Sequence, residues 1–335
     1  CPPMHTSNDL RGALRTIDRR SYPAYKSLAG RWSFGRYVLS VDHVQGDPFA
    51  APSSLSLLVD HREAGFPAAY WDGENRIALA DYLLRRFARQ ADRFCFQAKG
   101  SGKSGLINLS RCGQEILQRS ACEVNREGIV LRFAVGFPAN GRTINAGELE
   151  KILFDFLPVC AQESLFFQRT PKEELESAIF LAEDQRFIRR ELDRLDLVAF
   201  VADGAVLPRE SGVSDRPMKD AVAFRAPETL AVTLDLPHRG PLRGMGVRRG
   251  ITVIAGGGYH GKSTLLKALE RGVYDHIAGD GREYVITDRT ALKIRAEDGR
   301  KVTSTDISLF INHLPNGRDT TRFSTLDASG STSQA

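Results

Sequence analysis

The chain has 335 residues, 42% hydrophobic and 26% charged, with a formal charge of +5 and a pI near 9.0. That length suffices for about two domains that each bury a core, and the balance is that of a globular chain rather than a disordered or fibrous one. No apolar run reaches the roughly 18–20 residues that a membrane-spanning helix needs, so membrane insertion is not expected.

The first residue is Cys1 rather than Met, which leaves room for a trimmed start, and no charged-then-apolar leader follows. Five cysteines (Cys1, Cys95, Cys112, Cys122 and Cys160) are odd in number and lack CxxC spacing. They read as thiols of a reducing compartment, and a cytoplasmic location is expected. The basic surplus lies in the N-terminal half, which points to an anionic partner there.

Along the chain, Leu10, Leu14 and Ile17 fall at helical spacing and predict an opening helix. "RYVLSVDHV" and "SLSLLVDH" predict strands, joined by the turn-rich "QGDPFAAPS". Asp42, His43 and Asp47 make a possible metal cluster, although turn formation at Asp47-Pro48 explains them more simply. Apolar residues at Leu79, Leu83, Leu84 and Phe87 predict a helix from Asn75 to Phe94. Arg85, Arg86, Arg89 and Arg93 lie on that helix, and Lys99 and Lys103 follow soon after. Such a stripe could track a phosphate backbone, with RNA preferred over DNA, or be a solvated face paired with Asp81 or Asp92. "AKGSGKSGLI" contains Gly102-Lys103-Ser104, but Gln97 stands where a phosphate loop needs its first glycine, and a strand follows instead of a helix. It reads as a flexible basic loop. "EGIVLRFAVGF" predicts a strand, and "AGELEKILFDFLPVC" a helix up to Pro158. Residues 1–168 are expected to be an α+β domain.

Residues 169–335 form the second expected domain. Thr170 as N-cap, Pro171 at the first helical position and Glu173 three after the cap open a long amphipathic helix with a capping box. "LVAFVADGA" and "TLAVTLDL" read as strands, "RESGVSDRP" as a loop, and "GPLRGMGVRRG" as the lead into an apolar strand, "ITVIAG". "VAFVADG" resembles a metal-holding acidic strand end, but it precedes the phosphate loop, and a structural strand is the better reading. Strands alternating with helices indicate an α/β fold.

Gly256-x-x-x-x-Gly261-Lys262-Ser263 fits GxxxxGK[ST], with an apolar strand expected before it and Leu265, Leu266 and Leu269 striping a helix after it. Gly256, Gly257, Gly258, Tyr259, His260, Gly261, Lys262, Ser263 and Thr264 are therefore the candidate nucleotide-binding residues. Glycines let amides turn toward phosphate oxygens, Lys262 would reach the β- and γ-phosphates, and Ser263 would ligate Mg²⁺. His260 could donate to a phosphate, and Tyr259 could face a base or cover the loop.

The blocks "GGGYHGKSTLLKALERGVYDHIAGDGRE", "KIRAEDGR" and "FSTLDASGSTSQA" resemble the family of predicted ATPases of the ABC class. "VDHVQGDPFAAPS", "GFPANGRTI", "LVAFVADGAVLPRESGVSD" and "GMGVRRGITVIAGGG" extend the resemblance over nearly the whole chain. It implies an ABC-type α/β P-loop NTPase domain behind a family-specific N-terminal domain, with ATP and Mg²⁺ as ligands. It further implies a homodimer in which Ser329, Gly330 and Ser331, as the signature segment of one copy, complete the site of the other. No transporter is implied. After this segment the expected Walker B aspartate and glutamate do not appear, so the chain reads as a C-terminally truncated ATPase that binds ATP but barely hydrolyses it, with no catalytic residue of its own. Asp306 and Asn312 are candidates for sensing the γ-phosphate, with turn capping as their simpler reading. Asp280-Gly281-Arg282 and Asp298-Gly299-Arg300 read as hairpin turns, with Glu297 and Asp298 as remote metal candidates. The alternative function is an RNA-binding module regulated by nucleotide.

Overall fold

The computed structural model describes residues 4–294, 303–309, 319–322 and 324, which divide into two compact units, Cys1–Arg289 and Thr290–Ala335. Among the described residues no helix is long and apolar enough to cross a membrane.

The opening helix, Ser7–Ile17, begins with a capping box in which Thr6 and Asp9 satisfy each other's backbone amides. Its buried stripe is Leu10, Leu14 and Ile17. The expected strands form as Val38–His43 and Ser53–Asp60, within a seven-stranded sheet that also contains Gly128–Val135. In Ser53–Asp60 the period of two puts Leu55, Leu57 and Val59 on the buried face, opposite Phe133, Leu131 and Ile129 in antiparallel register. Helix Asn75–Phe94 packs Leu79, Leu83, Phe87 and Ala91 into the same core.

The helical stretch after Ala146 does not end at Pro158. It runs as α-helix Ala146–Glu150, a π-helical turn Lys151–Phe156 and α-helix Leu157–Ser164. Pro158 stands in the first turn of that last segment, directly after the π-helical turn, an irregularity of the ladder at the place where a residue lacks its N–H.

Helix Lys172–Arg194 begins without the expected side-chain cap, because the Thr170 hydroxyl donates to the Phe166 carbonyl at 2.9 Å. One helix then serves two cores. Leu175, Ile179 and Ala182 join that of the N-terminal sheet, whereas Ile188 and Leu192 pack with Leu197, Phe200 and Leu234.

The second sheet is antiparallel, in the order Ala231–Leu236, Gly240–Arg248, Leu197–Ala202, Val285–Thr287. Its other face carries Val201, Met245 and Val285, which pack on Ala268, Leu265 and Leu269 of helix Lys262–Arg271. Two expectations change here. "GPLRGMGVRRG" is a full strand rather than a lead-in. Ile251–Ile254, expected as a strand, lies in none of the sheets among the described residues, and Ile251 and Val253 are exposed. A strand needs a neighbour for its backbone groups, and β-propensity without one leaves an open chain.

In the second unit Ile307 is buried and its amide donates to Thr320 at the start of the short helix Thr320–Arg322. Asp306 accepts from the amide and hydroxyl of Ser308, which makes it a turn cap.

Candidate phosphate-binding site

Helix Lys262–Arg271 is held at both its flank and its far end. Ala268 is fully buried against the sheet. The Thr287 hydroxyl donates to Leu269 O at 2.7 Å, and the Thr287 amide donates to Gly272 O at 2.9 Å. A Cβ at Gly272 would lie 2.6 Å from the Thr287 hydroxyl, so only glycine lets the helix end approach that strand. Arg189 ties the same place together, donating to the Gly272 and Thr287 carbonyls and pairing with Asp275 at 2.8 Å.

The loop before the helix is built differently. Gly261 caps it in the left-handed region at φ 85° and Tyr259 is also left-handed at φ 64°, so the chain reverses sharply into the first turn. Lys262 folds back over the loop: a Cβ on Gly256 would meet its Cγ at 3.4 Å. A Cβ on Gly257 would likewise lie 3.2 Å from the His260 ring. The Gly257 amide donates to His260 Nδ1 at 3.1 Å. With Nδ1 accepting, Nε2 carries the ring proton and can donate outward. Tyr259 is fully exposed.

Among the described residues, no hydrogen bond engages the amides of Gly258 through Thr264. Four such donors are expected at any helix N-terminus, where the aligned peptide dipoles add about half a positive charge. Here, among the described residues, the loop adds the unbonded amides of Gly258 to Gly261 next to that N-terminus, a cradle of donors that suits an anion. Neither the Lys262 ammonium nor the Ser263 hydroxyl has a partner among the described residues. A triphosphate fits this donor set, whereas a cation bound by protein alone does not: the described residues hold no cluster of three or more His, Cys, Asp or Glu.

Beside the cradle lies an open cavity of about 290 Å³. Leu207, Pro208, Val222 and Phe224 form one wall, and His260, Thr264 and Leu265 the other. No local pattern signals the first wall, because it comes from a loop far upstream that reaches the helix only in three dimensions.

A second feature was missed. Asp280-Gly281-Arg282 is no surface hairpin: Asp280 has no exposed surface and accepts from His276 at 2.8 Å, Arg209 at 2.8 Å and the Arg282 amide at 3.1 Å. Burial pushes the Asp280 carboxyl up, but the hydrogen bond and charge of His276, followed by Arg209, outweigh it and hold the group below the ordinary carboxylate range. Burial, reinforced by the Arg209 cation, brings the Arg282 guanidinium down to about 10. His276 also contacts Arg271 O at 3.1 Å, so the network reaches the last turn of the phosphate-loop helix.

The remaining candidates separate. Ser329, Gly330, Ser331, Asn312, Glu297 and Asp298 lie outside the described residues. Asp203 accepts from Arg243 at 2.6 Å and from the Ala226 amide, a structural role. Asp42 accepts from Ser40 and Ser56, and Asp47 caps the Phe49 and Ala50 amides. The arginine stripe is divided. Arg85 is held by Asp81 at 2.7 Å and the Glu115 carbonyl, and Arg86 donates to Glu163 O. Arg89, Arg93, Lys99 and Lys103 are exposed.

Residues 171–335 match the ABC ATPase family model, described as a P-loop domain, and residues 7–168 match the one described as ATPase of the ABC class N-terminal. Uncharacterized protein MJ1628 of Methanocaldococcus jannaschii is 33% identical over 142 residues, which cover 40% of this chain and 32% of that protein. The chain thus spans about a third of the length of this relative.

Proposed function

Because the chain belongs to the family of ABC-class ATPases over both of its domains, we propose that it is an ATP- and Mg²⁺-binding ATPase without a transport role, acting as a homodimer with composite sites. The observation that carries this reading is the cradle: amides from Gly258 to Thr264 without partners among the described residues, set at a helix N-terminus under a folded-back Lys262. Lys262 would neutralise the β- and γ-phosphates, and His260 Nε2 would donate at the loop's edge. Ser263 would hold Mg²⁺ together with phosphate oxygens, and the ion would offset the charge of the phosphates. The base would enter the cavity against Phe224. Ser329, Gly330 and Ser331 of a second copy would close over the γ-phosphate.

Hydrolysis needs a group that orients the attacking water as well as one that holds phosphate. Asp203, the acid at the end of strand Leu197–Ala202, is already committed to Arg243 and Ala226. Binding is therefore expected to exceed turnover in this chain.

Titration with ATP and Mg²⁺, followed by calorimetry, tests the reading. Lys262→Ala removes charge-assisted hydrogen bonds worth about 1.5–3 kcal/mol, so affinity should fall roughly 10- to 100-fold. Unchanged affinity in that variant would sink the proposal.

A further inference from the structure

Given the nucleotide-binding reading above, on which this inference rests, one side chain of the phosphate loop stands out because it holds its own backbone. Of the amides from Gly257 to Thr264, only that of Gly257 meets an acceptor among the described residues, and the acceptor is His260 Nδ1 at 3.1 Å. The bond closes a short ring through Gly258 and Tyr259. An amide can only donate, so Nδ1 presents its lone pair and the neutral imidazole keeps its proton on Nε2. The side chain also lies against that backbone. A Cβ on Gly257 would be 3.3 Å from Nδ1, and one on Gly256 would be 3.5 Å from the His260 Cβ. Inside the ring Tyr259 stands at φ 64°, a conformation that a bulky residue keeps only where its surroundings impose it. Its own side chain imposes nothing, because it is fully exposed. The preceding run Gly256-Gly257-Gly258 restricts the chain least of all residue types. Among the described residues, the bond from Gly257 to His260 is what closes this loop on itself. The dihedral angles at Tyr259 and Gly261 aim the amides that follow them, and those are the unbonded donors of the cradle.

We propose that His260 is a positioning residue of the phosphate loop: through Nδ1 it pins the Gly257 amide, holds Tyr259 left-handed and so aims the following amides before any ligand arrives. The larger share of its effect on binding belongs to this pin rather than to donation by Nε2. A loop of consecutive glycines without a pin samples many conformations, and a ligand that must order it binds more weakly. Two substitutions separate the nitrogens. Asn carries its side-chain oxygen as many bonds from Cα as Nδ1, so it can accept from the Gly257 amide but falls short of Nε2. Gln carries its side-chain nitrogen as many bonds from Cα as Nε2, so it can donate outward but has no acceptor at the place of Nδ1.

The experiment is calorimetric titration of the whole chain with inorganic tripolyphosphate, and with ATP and Mg²⁺, comparing the parent with His260→Asn, His260→Gln and His260→Ala. Loss of one neutral hydrogen bond corresponds to about a 2- to 12-fold fall in affinity. His260→Gln and His260→Ala should fall by that amount for both ligands, whereas His260→Asn should stay within about 2-fold of the parent. His260 is exposed, so each variant should keep the parental thermal transition. A second readout follows the pin itself. In chains labelled with ¹⁵N-glycine, the Gly257 amide should exchange with water faster in His260→Gln and His260→Ala than in the parent, and at the parental rate in His260→Asn. A side chain that only filled space or only touched phosphate would leave that amide unmoved. If His260→Gln binds like the parent while His260→Asn falls, the role passes to Nε2 and the pin is overturned. Equal affinity in all four chains, or an equal fall in all three variants, overturns it too. If the parent binds neither ligand, the nucleotide-binding reading fails and this inference with it, a result distinct from any ranking of the variants.

Discussion

Two loops of this chain carry Gly-Lys-Ser, and they use their backbones in opposite ways. In the loop Gly100–Gly105 the amides face inward: Ser101 donates to Ala139 O, Lys103 to Pro48 O and Gly105 to Gly136 O, at 2.8 to 2.9 Å. Its glycines are there for close packing. A Cβ on Gly102 would lie 2.4 Å from Pro48 O, and one on Gly105 would lie 1.9 Å from Ala98 O. In the loop Gly256–Gly261 the glycines at 258 and 261 face open space, and among the described residues the amides have no carbonyl to meet. The same tripeptide is therefore a structural staple in one place and an open donor array in the other. What distinguishes them is where the backbone hydrogen bonds go.

The sharpest break of this comparison is a methyl group. Gly105→Ala puts a Cβ into a backbone carbonyl at φ 85°, and stability should fall by more than about 4 kcal/mol, seen as loss of a cooperative thermal transition. Gly258→Ala meets nothing within 4 Å, and its stability should stay within about 1 kcal/mol of the parent. A normal melting temperature for Gly105→Ala would contradict the packing role of the first loop.

An open donor array needs rigid support from elsewhere, and the Asp280 network supplies part of it. Arg209→Ala removes one cation from a fully buried carboxylate that keeps His276 and the Arg282 amide, and should cost about 1–3 kcal/mol in denaturant unfolding. The pH dependence follows from the lowered Asp280 value. A carboxyl that titrates lower in the folded chain stabilises it fully above its unfolded value of about 3.9, and the contribution disappears as pH falls through the folded value. The stability gap between the parent chain and Asp280→Asn should therefore be constant near neutrality and narrow below about pH 4. A gap that widened on acidification would reverse the assigned sign.

The smallest effects belong to the exposed cations. Lys103→Ala should leave ATP affinity unchanged, because the amides of Ser101, Lys103, Ser104 and Gly105 around it already donate to carbonyls. Arg89→Ala with Arg93→Ala should shift stability by less than about 0.5 kcal/mol. If the N-terminal domain binds RNA, the same pair should weaken a salt-sensitive mobility shift with single-stranded RNA. An unaltered shift would remove the arginine helix from any such role.

Much of the candidate site was legible in the residues. GxxxxGK[ST] followed by a leucine stripe specified the loop and its helix, because glycine freedom and apolar periodicity act over a few residues. The opening helix and the strands Val38–His43 and Ser53–Asp60 were readable for the same reason, whereas the Thr6–Asp9 cap was not read. Features that depend on a distant partner were not. Thr170 had a local cap available and took the Phe166 carbonyl instead. The pairing of Arg85 with Asp81 on the same helix was legible, but the Glu115 and Glu163 carbonyls that hold Arg85 and Arg86 were not. Ile251–Ile254 has strand-forming residues but no pairing strand among the described residues.

By itself, then, the sequence determined the local chemistry: which loop can cradle phosphate, and which residue carries the charge toward it. Tertiary structure decided the rest. It brought Leu207 and Phe224 to His260, buried Asp280 between Arg209 and His276, and closed the amides of the other Gly-Lys-Ser loop onto carbonyls. Backbone conformation follows from neighbouring residues, whereas the fate of a donor, an acceptor or a buried charge depends on groups that only folding brings within reach.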